Sequence, residues 1–533
     1  MMRWRKVLIS AVAAIVLLLP TFSFADEEEG NGGEEQQTTT TEKKKEFLSF
    51  DINGFYRLRW TRISDMDVYA GGTVPRVRYW DQRWRIEPVI KIQPNLWMLK
   101  SVTLHTMADI WDGSFGIDDP RGPNLALDLR TWDQPYLAEN RDWKEDGFWW
   151  REYWGEIDLT FAIIRVGRMS SPWGRGILAN DGYGYKNDFG DEFFGSIVDR
   201  VLLATKPIDL VTLGKRKTDI ILAIAYDWLV VNDPTGDEDD DPSEFIVALF
   251  KEPEQDNKKL LHDLMAGIYY VNREQDDNTT ANVIDMTFRL PVYLMDDALK
   301  LVFAFEGVYI WGETDANKSL TAPQGSDISM LGCAGTIAGE TKYIDLILEA
   351  GYASGDPDPF DDEITDFHFH PDYNVGLILF ERVLSAATAN TSYQFSSPAL
   401  LTIPPAGIDL LPTNGAVTNA VYLYPRLKVR PIIKGLEIVM GLLYAYAPQD
   451  LVDPYQSFLN GGVATNYNGG PADSDLGWEY DLGVSYTLGN PKKLALRVGG
   501  QWGWFFPGKA FDDAYGNSMD KIDLGQFRFD VIY

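Results

Sequence analysis

The sequence predicts an all-β protein, specifically a transmembrane antiparallel β-barrel of about eighteen strands (sixteen to twenty). A short helix is expected in one long loop, either extracellular or inserted into the lumen. Three observations predict this. The chain ends on an alternating stretch, with Phe527, Phe529, Val531 and Tyr533 set against Gln526, Arg528 and Asp530. A period of two puts the two sets on opposite faces of a strand, one for lipid and one for lumen. The same period recurs along most of the chain, and aromatic residues, 13% of the sequence with 17 Trp among them, gather near strand ends, as two interfacial girdles require.

In chain order, residues 1–25 read as a signal peptide. Arg3, Arg5 and Lys6 precede an apolar core from Val7 to Leu19, and Ser23 and Ala25 stand at the cleavage positions. Residues 26–46 are a run of Glu, Gly, Gln, Thr and Lys that buries too little apolar surface to order itself, and they read as a disordered periplasmic leader. Residues 47–533 form the outer-membrane β-barrel. After the signal there is no uncharged apolar run of the ~18 residues a spanning helix needs, so any crossing uses strands.

Within the barrel, Leu48, Phe50, Ile52, Tyr56, Leu58 and Trp60 alternate with polar residues, and Trp80, Trp84, Ile86, Ile90 and Ile92 do so again. The pattern predicts strands near 47–62, 78–93, 96–111, 149–161, 163–170, 195–206, 217–231, 243–252, 262–273, 281–295, 298–313, 326–340, 341–354, 418–433, 435–448, 476–488, 492–506 and 521–533. Short junctions such as Gln93-Pro94-Asn95 and Asp296-Asp297 alternate with long connections such as 112–148, 171–194, 355–417 and 449–475. Short turns at one end and long loops at the other are the barrel rule. Trp60, Trp80, Trp111, Trp149, Trp228, Trp311, Trp478 and Trp504 fall at the long-loop ends. Tyr293, Tyr343, Tyr486 and Tyr533 fall at the opposite, periplasmic ends. A soluble sandwich or propeller also alternates, but its shorter strands need no two-ended sorting of aromatics.

The formal charge of −31 argues against a nucleic-acid partner, and the single Cys333 excludes an internal disulfide framework. Catalysis needs an assembled nucleophile–base or acid–base pair. His105 and His262 have no serine motif nearby, no Gly-x-Ser-x-Gly occurs, and Cys333 lies mid-strand, so a non-enzymatic protein is expected.

The run from Arg165 to Arg200, with Gly167-Arg168, Trp173-Gly174-Arg175-Gly176, Ala179-Asn180-Asp181-Gly182 and Val198-Asp199-Arg200, resembles a segment of a family of large, mostly uncharacterised outer-membrane barrel proteins. The stretch Phe367 to Leu384 resembles the same family. Val166-Gly167-Arg168 is more loosely similar to alginate-export and porin-like barrels. The resemblance implies a barrel in the outer membrane of a Gram-negative-type bacterium, and it implies no particular chemistry.

If apolar partners face lipid, Arg57, Arg59, Arg83, Arg85, Lys91, Arg497 and Arg528 line the pore as one basic wall, because closure places the last strand beside the first. Arg426, Lys428 and Arg430 add a second basic stripe. Acidic pore-lining candidates lie elsewhere: Glu152, Glu156 and Asp158, then Asp345 and Glu349, then Glu479 and Asp481. Such walls either set a transverse field that favours anions or pair across strands and merely satisfy a polar interior. The glycine-rich 171–194 connection is the expected constriction loop, carrying Arg168, Trp173, Arg175, Asp181, Tyr183, Tyr185, Asp188 and Asp191, although a cap outside the membrane is the competing placement. Within 355–417, Asn374 to Ala389 reads as a helix with Asn374 as its cap. It either plugs the lumen or packs beneath the loop.

His368 and His370 with Asp366 and Asp372 form a candidate metal group, set against ordinary loop polarity because no clear third ligand follows. The acidic runs Asp237 to Asp241 and Asp356 to Glu363 could take Ca²⁺ through oxygens; no other cofactor is expected. The expected function is a porin-like channel for small hydrophilic or anionic solutes, acidic sugars among them. The alternatives are a non-conducting structural or surface-interaction barrel and the outer-membrane component of a polysaccharide-export system. Expected partners are the lipid bilayer, outer-leaflet lipopolysaccharide, the solutes themselves and a second copy of the chain in a homo-oligomer. The C-terminus is expected on the periplasmic side.

Overall fold

The structure is a computed structural model. It describes residues 47–70, 72–74, 76–94, 96, 98–115, 148–182, 187–190, 195–212, 218–231, 242–253, 263–275, 278–315, 323–358, 361–395 and 412–533. The signal peptide and the 26–46 leader lie outside the described residues, as do Tyr183, Tyr185, Asp191 and the acidic stretch 237–241.

Eighteen strands pair in sequence order, each antiparallel to the next: β1 Leu48–Ile63, β2 Val77–Ile92, β3 Leu99–Phe115, β4 Trp149–Leu159, β5 Ala162–Ser170, β6 Ile197–Thr205, β7 Ile220–Val231, β8 Ser243–Lys251, β9 Met265–Glu274, β10 Thr280–Leu294, β11 Leu299–Thr314, β12 Ser326–Glu340, β13 Ile344–Ala353, β14 Ala420–Val429, β15 Leu436–Tyr446, β16 Asp475–Asn490, β17 Leu494–Pro507 and β18 Ile522–Ile532. β1 also pairs with β18, from Phe55 opposite Ile532 to Ile63 opposite Leu524, so the sheet closes. Closure removes the edges that would otherwise leave backbone groups unpaired in lipid. The eighteen strands match the predicted segments one for one, with ends shifted by a few residues.

The terminal aromatic completes the seam. Tyr533 and Gly54 exchange backbone hydrogen bonds of 2.9 and 3.1 Å. The Tyr533 hydroxyl accepts from Trp84 Nε1 at 2.8 Å and donates to the Arg85 carbonyl at 3.1 Å. A Cβ on Gly54 would sit 2.9 Å from that hydroxyl, so the ring needs glycine there.

Alternation sorts the two faces as predicted. Leu346, Val166 and Phe527 are exposed on the outside, while Arg59, Glu479 and Asp530 are buried inside. The aromatics at the long-loop end pack on one another: Tyr309 stacks on Trp311 within β11, Tyr480 stacks on Trp504 across strands, and Tyr444 lies tilted against Trp478. Trp149 departs from the expected girdle. A register shift between Met107 and Ala108 leaves Arg151 opposite no residue, and the Arg151 guanidinium lies 4.6 Å from the Trp149 ring. Trp149 therefore shares the inward side with Arg151, and Trp150, 43% exposed, takes the outer one.

Connections alternate short and long, except that 206–219 and 252–264 are long at the short-turn end and 275–279 is short at the long-loop end. The first carries helix α1, Pro207–Val211. The 354–419 connection contributes a two-residue strand, Glu363–Ile364, parallel to β12. It then forms a π-helical turn, Leu379–Leu384, that runs into helix α2, Ser385–Phe395. Helix α3, Pro454–Leu459, follows β15.

Candidate functional site: the filled lumen

Two insertions occupy the interior. The first is the 171–190 segment. Trp173 Nε1 donates to Asp285 on β10 at 3.0 Å, and its ring packs 4.6 Å from Tyr269 on β9. The backbone N–H groups of Arg175 and Gly176 donate to Glu306 on β11. Further along, Asp188 pairs with Arg426 at 3.2 Å and Lys428 at 2.5 Å, both on β14, and Gly190 N–H reaches Gln501 on β17 at 3.2 Å. A segment that leaves β5 and touches β9–β11 and β17 must cross the lumen. It lies inside the barrel.

The second insertion is the segment from Asp366 to Phe395. Phe380 packs against Tyr422 of β14, and Ile378 lies against Gly503 of β17. The helix begins later than 374, and Asn374 does not cap it. Instead Glu479, from β16, accepts from the N–H groups of Leu377 (2.5 Å), Ile378 (2.9 Å) and Leu379 (2.8 Å). A carboxylate from the wall satisfies the open donors of this turn and complements its dipole, so no local cap residue is required.

The two insertions meet at one carboxylate. Glu349 on β13 accepts from Arg426 (2.5 Å), from the Tyr422 hydroxyl (3.0 Å) and from the Tyr373 hydroxyl (2.8 Å), and Arg175 approaches it at 3.3 Å. Arg175 also donates to Tyr373 at 2.8 Å. One buried acid thus ties the wall and the two insertions together. Asp481, next inward on β16, accepts from Tyr424 at 2.8 Å.

The predicted basic wall exists but is interleaved with acids, which corrects the expectation of a basic face opposed by a separate acidic one. Arg59 pairs with Asp81 at 3.0 Å. Arg83, Arg85 and Arg151 share Asp109 at 3.9, 2.8 and 3.5 Å. Arg57 and Arg528 share Asp530 at 3.0 and 2.7 Å. The acidic candidates are paired likewise: Glu156 with Arg165, Asp158 with Lys100, and Asp345 with Arg430, which stands one residue past β14. Glu152 accepts from Trp154 Nε1 at 3.1 Å. Lys91 is half-buried, in register with Ser49 and Thr103. A charge in a partly desolvated wall is held best by a near neighbour, so these wall residues find their counterions on the same strand or the next one. Asp109, Glu306, Asp285 and Tyr373 were missed in the sequence, and Asp530, although set on the face of Arg528 by the terminal alternation, was not named as a partner of the arginines. For Asp530 and Glu306 the signal was their inward phase, Asp530 two residues from Arg528.

Arg168 pairs with Asp199 at 2.8 Å on the β5–β6 wall and not in the constriction itself. Asp181 stays close to the second insertion, where its charge acts on His370. The four residues of the metal candidate do not converge. His368 Nε2 meets Asp366 at 2.6 Å, while His370 Nδ1 accepts from the Asp372 backbone N–H at 3.0 Å. Burial holds the His370 pKa below its ordinary value, only partly offset by Asp372. Among the described residues no three His, Cys, Asp or Glu side chains are placed to hold an ion. Asp356 and Asp361 instead accept from loop backbone N–H groups.

What remains of the lumen is divided. A cavity of about 880 Å³ lies toward the short-turn end. Arg57, Lys342, Lys428, Arg430, Lys434, Arg497 and Arg528 line it, with Asp188 and Glu437 as its acids. A second cavity, of about 1220 Å³, lies along β5–β10 beside Trp173.

No family model and no curated protein matches the chain. Among solved structures it is similar to Pseudomonas aeruginosa OccK11 (OpdR), at 11% identity and a TM-score of 0.49, covering 91% of this chain and 95% of that one. It is similar also to OccK1 (OpdK) of the same organism, at 11% identity and a TM-score of 0.49, covering 91% and 98%. A third is OccK2 (OpdF) in complex with glucuronate, also from that organism, at 11% identity and a TM-score of 0.47, covering 90% and 97%. The barrel assignment rests on the strand register itself.

Proposed function

We propose that this protein is a gated, porin-like channel of an outer membrane for small hydrophilic and anionic solutes, with its C-terminus on the periplasmic side. The observation that carries this reading is the 880 Å³ vestibule, whose lining holds seven basic residues against two acidic ones, an excess that remains after Asp530 and Asp345 behind the wall are counted against Arg57, Arg528 and Arg430. An excess of cations around a partly enclosed aqueous space lowers the cost of bringing an anion out of bulk water. Carboxylates, acidic sugars among them, suit the guanidinium groups of Arg57, Arg497 and Arg528, which offer planar bidentate geometry. Arg175, Asp188 and Glu479 hold the two insertions across the path and act as the gate. The Trp-rich long-loop end would meet outer-leaflet lipopolysaccharide.

Planar-bilayer recording with ion-reversal potentials tests this. Wild-type protein is expected to pass anions in preference to cations, and an Arg497→Ala/Arg528→Ala variant is expected to lose most of that preference with its strands intact. Equal selectivity in the two proteins would end the anion reading. A second reading, a non-conducting structural barrel, is favoured by one feature: Ile378, Leu379 and Phe380 are fully buried and anchored by Glu479. Absence of any conductance, in wild type and in a Glu479→Ala variant alike, would establish it.

A further inference from the structure

The larger cavity is built differently from the vestibule, and register shows how. Inward residues of neighbouring strands fall into lateral rows. One row runs Ala204, Ala223, Ala248 and Tyr269 across β6, β7, β8 and β9. The next runs Leu202, Ala225, Ile246, Val271 and Val283 across β6 to β10. A third, nearer the long-loop end, is ionic: Arg200, Asp227, Glu244 and Arg273, with Arg200 paired to Asp227 at 2.5 Å and Arg273 to Glu244 at 3.8 Å.

The inner face of a water-filled barrel is ordinarily polar. Two apolar rows here face inward around empty space, because alanines stand where larger residues would fill it. The ionic row crosses the cavity, whose lining continues beyond it to Val198, Leu229 and Thr279, and Trp173 with Tyr269 covers its lumen side. At the short-turn end the lining includes Lys206 and Leu210, with Asp209 and Glu252 as acids, and Lys100 paired to Asp158. Leu210 is 48% exposed, and Val211 beside it on α1 is more exposed still. Lys206 carries no ion pair among the described residues.

From this arrangement we infer that the cavity binds a single-chain anionic amphiphile, a long-chain fatty-acyl carboxylate, with its tail against the alanine rows and its head at Lys206. The volume of about 1220 Å³ exceeds the roughly 300–1,000 Å³ of pockets for drug-sized ligands, so a single ring would leave much of it empty. An acyl chain fills an irregular apolar space by bending, and each buried methylene contributes about 0.8 kcal/mol. An apolar tail gains nothing against the ionic row, so it lies along the alanine rows, and the head meets Lys206, the one basic group of the mouth without a partner among the described residues, Asp209 being engaged by Thr218.

The test is saturable binding of radiolabelled hexadecanoate and hexadecanol to the full-length barrel in nanodiscs, with protein-free nanodiscs subtracted. Wild type is expected to bind hexadecanoate at a single saturable site. Ala225→Trp, which fills the cavity, is expected to lower that binding at least tenfold while leaving the reversal potential unchanged. Lys206→Glu, on the rim, is expected to weaken hexadecanoate at least threefold and to leave hexadecanol unaffected; it carries the test if Ala225→Trp does not form a barrel. No saturable binding in wild type, equal binding by the folded Ala225→Trp variant, or an unchanged hexadecanoate-to-hexadecanol ratio in Lys206→Glu would each overturn the inference. None of these outcomes bears on the anion selectivity of the vestibule, which is read separately by Arg497→Ala/Arg528→Ala.

Discussion

Strands β6–β9 and strands β14–β18 are parts of one wall made by one rule, yet they enclose opposite interiors. Around β14–β18 the inward positions are Tyr, Arg, Lys, Glu and Asp, and two insertions fill the space and bond to them. Around β6–β9 the inward positions are mainly Ala, Ile and Val, and space is left open. Backbone pairing is indifferent to which side chains turn inward. A barrel can therefore hold a polar, occupied half and an apolar, vacant half without any change in strand geometry. The polar half needs its plug, since unpartnered charges would be costly there. The apolar half does not, and among the described residues Trp173 and Leu178 of the first insertion reach into it.

The widest difference between the halves should appear on removing the plug anchor. Glu479→Ala deletes an acceptor shared by three buried N–H groups, a loss of about 4 kcal/mol or roughly a thousandfold in the closed-to-open ratio. Single-channel recordings should show long-lived open states absent from wild type. Unchanged gating would mean that the polar half holds its plug by packing alone.

Asp109→Asn probes the wall itself. Three arginines lose their common counter-charge, and urea unfolding should register a destabilisation of about 3 kcal/mol. Ala223→Val, in the apolar half, should change stability by less than about 1 kcal/mol, because there is room for the added methyl groups. Similar costs at both sites would erase the contrast.

A weaker, pH-dependent effect is expected where the plug helix ends. Thr391 on α2 donates to Asp453 at 2.8 Å, and Asp453 also caps α3 through the Tyr455 N–H at 3.0 Å. Burial raises the Asp453 pKa to about 7, the hydrogen bonds offsetting it only in part. A folded value above the unfolded one of about 3.9 means that the folded state binds the proton more tightly. This contribution is complete below about pH 4 and is lost as pH rises toward 7. Hydrogen-exchange protection factors for 388–395, corrected for intrinsic rates, should fall through that window, and Asp453→Asn should flatten the profile.

The smallest effect belongs to the seam. Trp84→Phe removes the hydrogen bond to Tyr533 and should cost about 1 kcal/mol, measurable in the urea midpoint without change in conductance.

Most of the wall was legible in the sequence, because a strand's two faces are written in alternate residues and lipid tolerates only one kind of face. Phe527 and Arg528 disclose their sides without any partner in view. The insertions were legible only in part. Glycines and rings at 171–190 signalled a folded loop, but nothing local in the chain says that Arg175 meets Glu349. The helix was visible as a period and misplaced at its start, because its cap is Glu479, about a hundred residues away.

The sequence alone determined that the chain alternates, how many strands it makes and which way most residues face, Trp149 at its bulge excepted, since these follow from the period of the backbone and the intolerance of lipid for unpaired polar groups. Only the tertiary structure decided which inward charges neutralise one another, that both insertions lie inside the lumen, and that one side of the lumen is left apolar and empty. Those outcomes depend on register between strands and on contacts across the lumen, and a linear pattern carries neither.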